Sequence, residues 1–324
     1  MLDIITIGST TRDIFLISNA FKIQKSANSP TGLMECVPFG NKIEIEKAVY
    51  TTGGGGTNAA ATFASLGFKT GVVTRIGDDS SARDVLDDLK KFKVKTNLIS
   101  QVRGGDTALG VQLSALNGER SVLVNRGVSS DFTDADIPWK ALKSDWIYMT
   151  SLAGNLALVH KIVRHAKKNG IKAAFNPGSG ELAKGLKGLQ PIIKDLTVLN
   201  LNSEEAQKLA GTKSASIKEL FTKIAVKDLT VIITDGPKGA YAHLNGTTWF
   251  ARPRCAKAIS RTGAGDAFGS GLVAGLMKNM GIDDALRVGM ANAESVIQSY
   301  GAKIGILDSW PSESTLKKYK IKII

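Results

Sequence analysis

Short apolar runs recur along the chain at Asp3–Gly8, Thr70–Ile76, Trp146–Thr150, Lys172–Phe175, Thr197–Asn200 and Thr230–Thr234. They are rich in β-branched residues and too short for buried helices, which predicts strands covered on both faces. Between them, apolar positions at helical spacing predict helices over Thr57–Leu66, Ser80–Phe92, Asn155–Asn169, Ser203–Ala210 and Ile217–Val226. Strand and helix alternating in this way imply an α/β fold with a mostly parallel central sheet covered by helices.

Two stretches interrupt the rhythm. The long segment before Gly53 holds only the short strand-like runs Phe15–Ile17 and Ile43–Thr51, with polar material between them. Farther on, Thr107–Ser114 and Arg120–Asn125 flank Asn117-Gly118, a dipeptide that closes tight hairpins. Antiparallel strands leaving a parallel sheet predict a small β-rich lid, from parts of about 14–52 and 105–127. Asn245-Gly246 marks another hairpin between Ala240–His243 and Thr247–Ala251, and two long helical patterns, Ala264–Met280 and Asp283–Ser299, follow. With no repeat and no low-complexity linker, 1–324 reads as a single domain.

Composition narrows the class. A hydrophobic fraction of 43% over 324 residues supports a large core. Neither a signal peptide nor an apolar run of about eighteen residues is visible, so no membrane role is expected. Cys36 and Cys255 have no CxxC or histidine partner, which suggests neither zinc nor a disulfide framework and fits a reducing cytoplasm. The net charge of +13 raises the question of nucleic acid. The lysines, however, are scattered, as at Lys90-Lys91 and Lys317-Lys318, without a basic stripe interleaved with aromatics, so no nucleic-acid partner is expected.

The sharpest chemical signal is Thr262-Gly263-Ala264-Gly265-Asp266-Ala267-Phe268-Gly269 at the start of a predicted helix. Small residues let several amides converge there, and with the helix dipole they make a site for anionic oxygen. Asp266 at its mouth suits a base that takes a proton from an attacking hydroxyl, the pairing phosphoryl transfer requires. The plainer alternative is a helix cap on a closely packed helix. A second signal is Gly53-Gly54-Gly55-Gly56-Thr57-Asn58, exposed backbone followed by an amide that can donate and accept to a polyhydroxylated ligand. Read alone, it is a turn opening a helix. The first strand runs into Gly8-Ser9-Thr10-Thr11, which lacks a dinucleotide fingerprint, and no P-loop is present.

The two motifs, in this order, resemble the paired signatures of the ribokinase-like (PfkB) carbohydrate kinase family. The resemblance runs from the first glycine motif through Leu66-Gly67 and Gly77-Asp78-Asp79 to the G-A-G-D motif, and covers almost the whole chain. It implies a ribokinase-like three-layer fold and transfer of the γ-phosphate of ATP to a sugar hydroxyl. Asp266 would be the base and Gly263, Ala264 and Gly265 the anion site. Asp13, Gly54, Gly55 and Asn58 would bind substrate, and Asn202, Thr234, Gly236, Gly239 and Asn292 the nucleotide. Asn202-Ser203-Glu204-Glu205 is similar to the family's N-x-x-E, which implies Mg2+ held by Glu205 through water.

Three departures bear on specificity. Ser260-Arg261 stand where the family usually has Asp-Thr. That aspartate helps to hold a monovalent cation in several members, so potassium activation is an open question, with the Arg261 guanidinium as a candidate replacement. Ala174-Phe175-Asn176-Pro177-Gly178 lacks the aspartate and arginine of D-x-N-x-R and is closer to the N-P-A form of ribokinases, which points toward a pentose or a nucleoside. The long segment before Gly53 would enlarge the lid. A nucleoside kinase of the same family is the nearer alternative, a non-catalytic ligand-binding protein the distant one. Because family members often dimerise through their lids, a homodimer is also expected.

Overall fold

The apolar runs become strands because each has to bury two faces. In the computed structural model, which describes residues 1–29, 31–114, 120–254 and 256–324, they line up in one large sheet. Its order is Ile321–Ile323, Thr247–Ala251, Ala240–Leu244, Thr230–Thr234, Val198–Asn202, Lys172–Phe175, Ser144–Met149, Leu2–Ile7 and Thr70–Val73. The six strands from Thr230–Thr234 to Thr70–Val73 run parallel, and the hairpin strands at the other end run antiparallel.

Alternation along each strand sends side chains to two cores. Ile5, Ile7, Ile147, Met149 and Phe175 pack with helices Leu156–Lys168, Gly185–Ile193, Ser203–Ala210 and Ile217–Ile224. Ile4, Trp146, Tyr148 and Ala174 pack on the other face with Gly55–Ser65, Ala264–Met277 and Ile282–Val296. Each fully buried large side chain contributes roughly 1.5–3 kcal/mol, so the two cores hold the layers firmly. This is the expected three-layer α/β fold.

A separate four-stranded sheet is ordered Arg120–Asn125, Leu109–Ser114, Thr11–Ile17 and Lys47–Gly53. Its last strand was read from sequence as Ile43–Thr51, and it in fact starts at Lys47 and reaches Gly53. Thr11–Ile17 begins earlier than the expected run at Phe15, which places Asp13 on this sheet. Asn117-Gly118 and Cys255 lie outside the described residues. A two-stranded hairpin, Lys22–Lys25 with Leu33–Cys36, was not expected, since its exposed residues show no alternation. The run Thr70–Ile76 divides: Arg75–Ile76 leaves the large sheet to pair with Ser100–Gln101. The helix expected to reach Met280 ends at Met277, where Lys278 closes it and Asn279 turns left-handed at φ 59°.

Candidate active site

Gly263 sits at φ 80°, a left-handed conformation, and a side chain there would collide with Ala302. Glycine lets the chain turn directly into helix Ala264–Met277. The amides of Gly265 and Asp266 lie in the first helical turn and have no acceptor inside the helix. Nothing of the protein lies within 4 Å of where a Gly265 side chain would begin, so that backbone is open. Asp266 makes no capping bond to its own helix. Its Oδ2 instead accepts from Asn58 Nδ2 at 2.8 Å, and part of the residue stays exposed. The cap alternative therefore fails. Burial raises the Asp266 pKa above the usual aspartate value, opposed by the Asn58 hydrogen bond and the charge of Lys303.

The glycine run opening helix Gly55–Ser65 has steric causes. A side chain at Gly53 would strike the Asp13 carboxylate, and one at Gly56 would meet the Gly8 backbone at 2.8 Å. Gly54, at φ 92°, lies on the backbone of Ser9 and Thr10, and Gly55 on Thr150. This close fit carries Asn58 to Asp266, leaving Asn58 Oδ1 buried without a protein partner. Asp13 is only 7% exposed. Its Oδ1 accepts from Thr11 Oγ1 at 2.9 Å, and its carboxylate is flanked by Gly53 and Gly110. Burial raises its pKa, against the pull of Thr11, Lys303 and Arg12, while Asp266 pushes it further up.

Beyond Gly265 opens a cleft of about 1050 Å³, lined among others by Asn202, Thr234, Gly236, Gly239, Ala264 and Arg261. Asn292 does not face it. The residue is wholly buried; Nδ2 donates to Ala267 O at 2.8 Å and Thr62 Oγ1 at 3.3 Å, and Oδ1 accepts from Leu307 N at 3.0 Å. Both ends of its amide are engaged inside the protein and the residue is not among those lining the cleft, so the expected nucleotide role is corrected: Met290, Ala293 and Glu294 of the same helix face the cleft.

Asn202 and Glu205 form a reciprocal cap on helix Ser203–Ala210: Oδ1 accepts from Glu205 N at 2.9 Å and Asn202 N donates to Glu205 Oε2 at 2.8 Å. The Glu205 pKa is raised by burial, and the Asp266 charge raises it further against the Asn202 amide. A partly buried carboxylate repelled by a second one fits a hydrated magnesium ion, whose oxygen preference matches these donors. No cluster of three or more His, Cys, Asp or Glu side chains that could hold a metal ion exists among the described residues.

Sequence reasoning missed three residues. Gln112 Oε1 accepts from Thr262 Oγ1 at 2.8 Å, joining the small sheet to the loop before helix Ala264–Met277. Glu181, fully buried, accepts from Leu152 N, Gly154 N and Gly178 N at 2.8, 2.9 and 3.0 Å and so ties down the loops behind the site. The third is Lys303, 5% exposed. Arg261, weighed as the replacement for a bound cation, is exposed and lines the cleft; the enclosed positive charge of this region is Lys303. Its setting in Gly301-Ala302-Lys303-Ile304-Gly305-Ile306, a lone charge amid small and apolar residues, was the available signal.

The model of the pfkB family carbohydrate kinases matches residues 1–309. The chain is 28% identical to a ribokinase of Haemophilus influenzae over 261 residues, 78% of this chain and 83% of that one. Among solved structures, Arabidopsis thaliana ribokinase complexed with ribose and ATP superposes with a TM-score of 0.77 at 19% identity, covering 98% of each chain. A Burkholderia thailandensis nucleoside kinase in complex with inosine gives 0.76 at 17% identity, over 97% of this chain and 96% of that one.

Proposed function

Since the chain belongs to the pfkB family of carbohydrate kinases, we propose that it moves the γ-phosphate of ATP to a hydroxyl of a sugar, with Asp266 as the general base. The observation that carries this reading is the pairing at one helix start of open amides at Gly265 and Asp266 with a carboxylate that caps nothing. Asn58 orients that carboxylate through its 2.8 Å hydrogen bond. Asp13 and the unpaired Asn58 Oδ1 would hold substrate hydroxyls, aided by the backbone of Gly54 and Gly55. Thr234, Gly236, Gly239 and Asn202 would line the nucleotide, with its terminal phosphate toward Gly263, Ala264 and Gly265. Asp266 then takes the hydroxyl proton as the oxygen attacks in line. Magnesium, held through water by Glu205 beside Asn202, would neutralise phosphate charge when bound.

The small sheet acts in this reading as a lid that excludes water from the reacting groups. Its Gln112–Thr262 and Lys303–Thr52 hydrogen bonds support closure over the site. A nucleoside is the second acceptor to weigh, because Asn176-Pro177-Gly178 lacks the charged residues of the D-x-N-x-R form. ADP release measured with ATP and magnesium against ribose, fructose, adenosine, cytidine and guanosine tests both. Turnover with a sugar is the expected result; turnover confined to nucleosides shifts the assignment, and no ADP from any acceptor removes it.

The lid also supports a homodimer. Cross-strand register puts Tyr50, Ile14, Val111 and Leu123 in one row, with Tyr50 60% and Leu123 58% exposed. An apolar row across an uncovered sheet face fits a second copy of the same face. Light scattering should give twice the chain mass, reduced to one by Leu123→Glu. A monomeric wild-type protein at micromolar concentration would remove this proposal.

A further inference from the structure

We propose that Lys303 is a positioning residue of the phosphoryl-transfer site, a fixed internal cation whose ammonium, held between Thr52 and Asp88, balances the carboxylates of Asp13 and Asp266. The inference rests on the reading of Asp266 as base. Lys303 Nζ donates to Thr52 Oγ1 at 2.6 Å and to Asp88 Oδ2 at 3.3 Å, and Thr52 Oγ1 donates to the same Asp88 oxygen at 2.5 Å. A buried ammonium would be expelled or neutralised without such partners.

Backbone packing fixes where this charge sits. Gly301, at φ 110°, lies so close to the lid strand Lys47–Gly53 that a side chain on it would meet Thr51 at 2.9 Å. Ala302, one residue on, packs against Gly263 at the anion site. The loop is thus wedged between the lid and the start of the catalytic helix, and Lys303 cannot drift from either.

The balance of charges around it is uneven. Asp88 comes from helix Ser80–Lys91, Asp13 from the lid strand Thr11–Ile17 and Asp266 from the catalytic helix, and the charge of Asp266 also acts on Glu205. A second nearby cation, Arg12, is already paired with Asp84 at 3.2 Å. Burial disfavours the Lys303 ammonium, and attraction to Asp88, Asp13 and Asp266 opposes this. The same attraction favours ionised Asp13 and Asp266. A base has to be ionised before it can accept a proton, so Lys303 would keep Asp266 ready over a wider range of acidity.

The test uses Lys303→Met and Lys303→Gln. The glutamine keeps donors for Thr52 and Asp88 without the charge, so it answers the question should the methionine variant not fold. Aspartate carboxyls are titrated by carbon NMR in nucleotide-free, metal-free protein, with Asp13→Asn and Asp266→Asn assigning the signals. The pH dependence of turnover is recorded in parallel. Loss of the ammonium should raise the midpoint of Asp266, Asp13 or both by about one unit. The acid limb of turnover should move with it, giving roughly ten-fold slower reaction on that limb. If neither carboxyl moves in the folded variants, the proposal is overturned. If the Asp266 carboxyl moves while the acid limb stays, Lys303 stands as the counter-cation and Asp266 is not the base.

Discussion

Replacing Asp266 by asparagine should lower turnover by about 10²- to 10⁴-fold, the range a positioned base contributes. Asparagine has nearly the same shape and can still accept from Asn58 Nδ2, now 2.8 Å from the carboxylate, so the packing around it should survive. Nucleotide affinity should change by no more than a few-fold, because the open amides of the helix start remain. The wild-type pH profile makes a second check. Burial raises the Asp266 pKa, so turnover should be complete only above that raised value and fall as pH drops through it, at a higher pH than an ordinary aspartate would give. In Asp266→Asn this acid limb should vanish. Turnover near the wild-type level would show that another group takes the proton.

The next largest effect is expected from Gly265→Val. No protein atom lies within 4 Å of the new side chain's first carbon, so the fold has room for it. What it fills is the space in front of the amides, where the transferring phosphoryl oxygens would sit. Losing one such donor typically costs about 2.7–4 kcal/mol of transition-state stabilisation, roughly 10²- to 10³-fold in rate. The measurement is kcat/KM beside a thermal melt, with a large fall in the first and little change in the second. Gly263→Ala is the contrasting control: at φ 80° and against Ala302, it should lower the melting temperature itself. If Gly265→Val melts earlier in proportion to its lost activity, the defect is one of folding and the anion site loses its support.

The parts of the molecule that were legible in the sequence obey local rules. Strands such as Thr230–Thr234 are buried on both sides and read as unbroken apolar runs. Asn245-Gly246 forms its hairpin because both residues adopt positive φ, 47° and 85°. What escaped depends on direction or on distant partners. The exposed hairpin Lys22–Lys25 with Leu33–Cys36 buries too little to leave a periodic trace. Asn292 was assigned by its place in a motif, yet one position on a helix decides whether a side chain faces a cleft or a neighbouring helix. Lys303 has a charge that reads as surface, and its partners Thr52 and Asp88 are supplied from far along the chain. In the glycine run, sequence pointed to ligand contact, and close packing against Gly8, Thr150 and Asp13 is sufficient to require glycine.

One geometric detail bears on how the proposed lid would operate. The first strand ends at Ile7 and the lid strand begins at Thr11, while the return strand ends at Gly53 and touches Ser9 and Thr10 through Gly54. The second hairpin enters at Leu109 and leaves at Asn125 beside Arg12, so all four chain crossings gather at one end of the small sheet. Asp13 is close to that end, and the row of Arg120, Ser114, Ile17 and Lys47 is at the opposite one, so a swing of the proposed lid would displace the far row more than the carboxylate. In the proposed reading, the grip on substrate would then sit at the quiet end of the lever, where opening for exchange disturbs it least.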